Sequence, residues 1–262
     1  MQLGISSASL YPTLPTETAV VQIAALGCRT VEIFLQTTRE YRPAYAARLA
    51  RVCQDIGVMV HSVHGPSSQF EPLIFYPYRR QNQDGLDTVK RILESAALLG
   101  ANCYVFHGPL RVTGSDRARL VQGLAQVAQE AARWGIALAL ENVSWCAGWE
   151  PEVFTWLNGQ GIANLYYTFD SKQARRSGFS AEAFLTAMGN RLVNVHLSDW
   201  SQVGSGLLPG QGEEDFQRLG ALLQNYQGPV LLEVYGSWVK SAAQLREGWR
   251  HLRKILNKQA PI

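Results

Sequence analysis

A chain of 262 residues with 47% hydrophobic content is long enough for one large core and matches the span of a single α/β barrel, ~250 residues. Its formal charge of +3 is spread along the length, with no basic run longer than pairs such as Arg79-Arg80 and Arg175-Arg176, so a nucleic-acid partner is not expected. Cys28, Cys53, Cys103 and Cys146 form no CxxC pair, which argues against a zinc ribbon and against a disulfide framework.

Short apolar or β-branched runs recur along the chain. They are LGISSAS (3–9), TVEIFL (30–35), GVMVHSVHG (57–65), NCYVFHG (102–108), IALALEN (136–142), NLYYTFD (164–170), RLVNVHLSD (191–199) and PVLLEVYG (229–236). Helical spacing fills the gaps. In DTVKRILESAALLG, Val89, Ile92, Leu93, Ala96 and Leu99 share one face and Gly100 closes the helix; ARLVQGLAQVAQEAARWG repeats the pattern up to Gly135. Nearly continuous apolar strands alternating with helices predict a parallel sheet buried on both faces, a single (β/α)8 TIM barrel over residues 1–262, with short fifth and sixth helices. The beginning QLGISSASLY shows no basic region followed by a long apolar one, and no run of ~18 apolar residues occurs, so a cytoplasmic protein with no membrane partner is expected.

In such a barrel the chemistry gathers where strands end. The strand ends carry Glu32, His64, His107, Glu141, Asp170, His196 and Glu233, one ionisable group for each strand from the second to the eighth. Charges without a purpose belong on helix surfaces, because unpaired buried carboxylates are costly. Carboxylates brought to one mouth repel each other, and a divalent cation is the simplest way to neutralise them, with His196 as a further ligand. Asp199 either orients a ligand or caps the next turn. His61 has the opposite strand parity from His64 and is a poorer candidate. Glu32 either orients a ligand or histidine, or makes a structural salt bridge.

ALEN with Glu141, TFDSKQ with Asp170, VHLSD with His196, LLPGQGEEDF (207–216) and LLEV with Glu233 together resemble the xylose isomerase-like TIM-barrel superfamily. That superfamily holds D-tagatose 3-epimerase-like enzymes, hydroxypyruvate isomerase, inosose-processing enzymes and, more distantly, endonuclease IV. The resemblance implies that Glu141, Asp170, His196 and Glu233 ligate one divalent ion. Three carboxylates and one imidazole suit Mn²⁺ or Mg²⁺, with Co²⁺ or Zn²⁺ also able to occupy such a set. It further implies that Glu141 and Glu233 are catalytic, exchanging a proton with a carbon next to a carbonyl while the ion stabilises an enediolate. Return of the proton to a new carbon gives isomerisation, and return to the other face of the same carbon gives epimerisation.

The same resemblance implies a small sugar, sugar phosphate or hydroxy-keto acid as substrate and, as among relatives, a homodimer or homotetramer. His64 and His107 stand where relatives place histidines and either meet substrate hydroxyls or are satisfied histidines under a loop, while Gln173, Trp145 and Trp200 are further candidates for substrate contact by position. Trp149 and Trp238 also fall beyond strand ends, and tryptophan faces suit the apolar sides of a sugar ring as well as ordinary loop packing. PGQGEED either presents backbone N–H groups to a hydroxyl or phosphate or is a plain turn; Arg175-Arg176 either holds a phosphate or ends a solvated helix. Three departures stand out, one being that ENVSWCAGWEP offers Ser144, Trp145 and Trp149 before Glu150 where the epimerase branch places a further substrate-binding glutamate. Many relatives carry Asp-x-x-His where this chain reads Asp170-Ser-Lys-Gln173, and WSQVGSGLLPGQG lacks the Asp-x-His pair that completes the three-metal cluster of endonuclease IV. A dehydratase or lyase on the same metal site is the main alternative, ahead of a DNA-repair nuclease or a non-catalytic sugar-binding relative.

Overall fold

The computed structural model describes residues 2–114, 116–234, 239 and 241–257. The expected runs become β1 (Gln2–Ser6), β2 (Thr30–Phe34), β3 (Met59–His64), β4 (Cys103–Phe106), β5 (Ala137–Glu141), β6 (Leu165–Asp170) and β7 (Leu192–Leu197). A hairpin of β8 (Asp199–Ser201) and β9 (Gly204–Leu207) follows, and then β10 (Pro229–Leu232). Eight of these close a barrel in the order β1-β10-β7-β6-β5-β4-β3-β2, every pair parallel; the chain forms a (β/α)8 TIM barrel. The helices are α1 (Thr16–Ala25), α2 (Pro43–Asp55), α3 (Arg79–Leu98), α4 (Arg111–Gly114), α5 (Arg117–Arg133), α6 (Pro151–Asn158), α7 (Ser171–Ser177), α8 (Ala181–Met188), α9 (Phe216–Leu222) and α10 (Ala242–Asn257). The helices after β5 and β6 are indeed short. Gly100 and Gly135, at φ of 71° and 69°, take the left-handed turn that ends α3 and α5, where a side chain would be strained.

The strands are shorter than the apolar runs that predict them. Ser7–Leu10 coils into a 3-10 turn, β7 stops at Leu197, and Asp199 opens the hairpin instead of ending the strand. The hairpin lies in a Gly- and Ser-rich stretch with no alternating apolar residues to betray it. Of the run 229–236, Tyr235 and Gly236 lie outside the described residues.

Apolar strand residues such as Ile5, Ile33, Val63, Leu138, Leu140, Phe169 and Val195 join helix residues such as Val20, Leu49, Ile92, Leu124 and Phe154 in one buried cluster. Burying such side chains contributes roughly 1.5–3 kcal/mol each. The polar strand residues meet one another instead: Ser6 and Ser62 both donate to Glu32, at 2.9 and 2.7 Å. Gly4 leaves room in this layer, since a Cβ there would fall on the Leu231 side chain and 2.6 Å from the Thr30 carbonyl oxygen.

Two register shifts shape the sheet. Pairing passes from Val31↔Val60 to Glu32↔Ser62, skipping His61, and from Tyr167↔Leu192 to Thr168↔Asn194, skipping Val193. The two skipped residues are joined: His61 Nε2 donates to the Val193 carbonyl at 3.1 Å. Burial lowers the His61 pKa, so the ring serves as a neutral tie.

Candidate active site

Glu141 and Asp170 are the last residues of β5 and β6, and His196 sits on β7 beside Asp170. Glu233 directly follows β10 and is fixed by its N–H bond to the Leu197 carbonyl, 3.1 Å. All four side chains are buried, and their donor atoms lie within 4.8 Å of one another. His196 is held from behind. Its Nε2 donates to Glu32 at 2.9 Å, which leaves Nδ1 facing Glu141 Oε1 at 3.6 Å and Glu233 Oε2 at 3.5 Å. Nδ1 is buried and makes no hydrogen bond. The contact of Glu32 with His196 answers to both readings of Glu32, as an ion pair and as the partner that orients the imidazole.

The charges of the site explain its titration. Burial raises the Glu32 pKa, but the charge and hydrogen bond of His196 outweigh it and hold Glu32 at about 2. Burial lowers His196, yet the Glu32 and Glu233 charges carry it well above its usual value. For Glu141, burial raises the pKa, while His107, His196 and His64 together bring it well below the carboxylate range. Asp170 is pushed up to about 6, first by burial and then by Glu141 and Glu233, against the opposing pull of Lys172.

The donor set fits a divalent ion. An orphaned imidazole nitrogen points among three carboxylates, and oxygens bound at about 2.1 Å on opposite sides of an ion stand about 4.2 Å apart, within the spread seen. The tautomer needed, with the proton on Nε2 and the lone pair on Nδ1, is the one that Glu32 selects.

Lys172 was not among the residues the sequence pointed to. Its ammonium is buried 3.2 Å from Asp170 Oδ2 and 3.2 Å from Glu233 Oε2. A lysine two places after a strand-ending aspartate reads as a solvated helix residue, and that position next to Asp170 was the one clue available.

His64 and His107 adjoin the site on the Glu141 side. His64 donates from Nδ1 to the Gly65 carbonyl at 2.7 Å, and its Nε2 lies 2.9 Å from His107 Nε2. His107 Nε2 is 3.0 Å from Glu141 Oε2. Burial lowers the His64 pKa, but Glu141 and Glu32 raise it to about 9, so His64 can supply both protons. His64, His107 and Glu141 form a second group compact enough to hold an ion. Glu71, also missed by the sequence reading, is fully buried and anchors this corner by accepting from Tyr104 Oη and from the N–H groups of His107 and Gly108.

The loops separate into cover and support. Trp145 stands half exposed with its indole edge-on to His107, ring centres 6.3 Å apart. Gln173 is buried, and its Oε1 accepts from Ser144 N and Oγ at 3.2 and 3.0 Å, so its carbonyl is committed to the loop bearing Trp145. Arg111 packs on Trp149, 3.6 Å from the ring centre. Trp200 lies under Arg175 and lines a cavity of about 270 Å³ with Glu213, Glu214 and Arg218; Glu141, Asp170, His196 and Glu233 do not line it. Arg176 donates to Ser205 Oγ. Trp238 lies outside the described residues. Asp199 takes the backbone donors of the PGQGEED loop: Gly210, Gly212 and Glu214 N–H all bond its carboxylate at 2.9 Å.

Among the described residues no helix is long and apolar enough to cross a membrane. Curated relatives include an uncharacterised protein of Mycobacterium leprae, 26% identical over 93% of this chain and 92% of its own. An uncharacterised protein of Mycobacterium tuberculosis is likewise 26% identical, over 92% and 91%. Among solved structures, a D-tagatose 3-epimerase-like protein superposes with a TM-score of 0.81 at 21% identity over the whole of both chains. A D-psicose 3-epimerase crystallised in the presence of D-fructose gives 0.77 at 19%, covering 98% and 99%, and a 3-keto-D-glucoside 4-epimerase from E. coli gives 0.77 at 20%, covering 97% and 99%. At these identities the solved structures bear on the fold. The family profile described as xylose isomerase-like TIM barrel matches residues 20–255, nearly the full length, and the chain belongs to that family.

Proposed function

We propose that this protein is a divalent-metal-dependent sugar isomerase or epimerase, with Glu141, Asp170, His196 and Glu233 as the ligands and Mn²⁺ or Mg²⁺ as the ion. The observation that carries the reading is the buried Nδ1 of His196, without a hydrogen bond and turned toward Glu141 and Glu233. When bound, the ion supplies a Lewis acid for two neighbouring substrate oxygens and for the charge of an enediolate. One of Glu141 and Glu233 removes the proton next to the carbonyl, and the same or the other glutamate returns it. His64 and His107 meet substrate hydroxyls, and Trp145 covers an apolar face of the sugar. The epimerases of like fold support a small sugar substrate.

The first experiment is metal content per chain by elemental mass spectrometry, on protein purified without a metal-affinity tag, chelated and refilled with Mn²⁺, Mg²⁺, Co²⁺ or Zn²⁺. One ion per chain, lost in Asp170→Ala and His196→Ala, is the expected result and leads to a ketose screen in heavy water. Two or three zinc ions per chain would favour a multi-metal hydrolase. No retained ion under any loading would overturn the proposal.

A further inference from the structure

We infer that Lys172 is a tethered cation that competes with the divalent ion for Asp170 and Glu233, so that metal binds only by displacing the protein's own ammonium. The inference rests on the metal reading above.

Lys172 is the second residue of α7, in the turn where Asp170 accepts from Gln173 N at 2.8 Å. Nothing about that position favours a lysine. A cation in the first turn opposes the helix dipole, and a buried ammonium loses its hydration. Its partners are what offset those costs, since Nζ donates to Glu233 Oε2 at 3.2 Å and sits equally far from Asp170 Oδ2. Gly206 of β9, where φ is 85°, lies beside the stem: a Cβ added there would stand 3.5 Å from Lys172 Cδ.

The contacts of the ammonium point the same way. Lys172 Nζ touches Asp170 Oδ2 and Glu233 Oε2, side chains of two of the four residues assigned to the ion. A divalent ion held by the same set seeks the same two carboxylates that the ammonium holds. Two cations cannot share those oxygens at 3.2 Å without strong repulsion, because like charges in a dry site interact far more strongly than in water. The ammonium must therefore leave as the ion enters. Until then Lys172 holds the carboxylates together in the metal-free protein, at the expense of affinity for the ion.

The test is the Mn²⁺ affinity of chelated wild type, Lys172→Gln and Lys172→Met, by titration with detection of free Mn²⁺, together with melting temperatures with and without Mn²⁺. Both variants are expected to bind about 10- to 100-fold more tightly, the range typical for groups that act on a metal through its ligands. Their metal-free forms should melt below wild type and gain more from Mn²⁺. Wild type that binds Mn²⁺ with variants that bind equally or more weakly would overturn the role of Lys172 and leave the metal reading standing. No binding by any form would overturn both. A second measurement needs no variant: acylation of Lys172 in wild type, followed by mass spectrometry, should rise when Mg²⁺ saturates the site, and equal labelling would overturn the inference.

Discussion

The carboxylate of Glu32, on β2, meets Nε2 of His196, on β7, at 2.9 Å, between strands that are not neighbours in the barrel. The contact decides which nitrogen of the imidazole faces the carboxylates. Glu32→Gln should weaken metal binding about 10- to 100-fold, since the partner behind a ligating histidine sets its tautomer and orientation. Glu32→Ala should also destabilise the fold by about 3–5 kcal/mol, the usual result of breaking a buried pair. Metal titration and urea unfolding check the two effects.

The same pair predicts a pH dependence in metal-free protein. Glu32 titrates at about 2 against a usual 4.5, so its stabilising contribution is present above pH 4.5 and is lost as pH falls toward 2. The difference is on the order of 3 kcal/mol. His196 is displaced upward, so its contribution is complete below its usual 6.5 and is lost as pH rises through its raised value. Unfolding free energies of chelated protein between pH 3 and 6 should fall more steeply with acid for wild type than for Glu32→Gln; parallel curves would contradict this.

Glu233→Gln removes a proton acceptor while keeping the side-chain shape. We expect turnover to drop by about 10²–10⁴, the contribution of a positioned acid or base. Exchange of substrate hydrogen with heavy water should disappear while substrate binding stays measurable. Retained exchange would take Glu233 out of the chemistry.

Asp199 collects the N–H groups of Trp200, Gly210, Gly212 and Glu214. Asp199→Ala strands these donors and should cost on the order of 3 kcal/mol. Gly212→Ala should act alike, because a Cβ there would collide with the Trp200 carbonyl and the Asp199 carboxylate. Limited proteolysis should then cut between residues 199 and 215, a segment expected to resist in wild type.

The barrel was legible because apolar period and Gly stops recur through the whole chain; strand ends marked seven ionisable residues, and the family resemblance singled out Glu141, Asp170, His196 and Glu233 among them, which the fold brings together. Lys172 and Glu71 escaped because nothing local distinguishes a buried charge from a solvated one; its partners come from distant strands and turns. Parity set His61 aside, but parity assumes an unbroken register, and His61 sits in a bulge that turns it toward Val193. Gln173 was expected at a substrate hydroxyl, and the structure gives its carbonyl to Ser144, a partner 29 residues away that only the folded sheet brings near.

That bond has a mechanical meaning. Gln173 is chained to Lys172 on one side and strapped to Ser144 on the other, with Trp145 next in line. The buried ammonium beside Asp170 and Glu233 and the exposed indole beside His107 are thus joined by one short run of contacts. A redesign for a bulkier substrate would start at the Gln173–Ser144 strap, which can be lengthened or slackened without altering a single carboxylate.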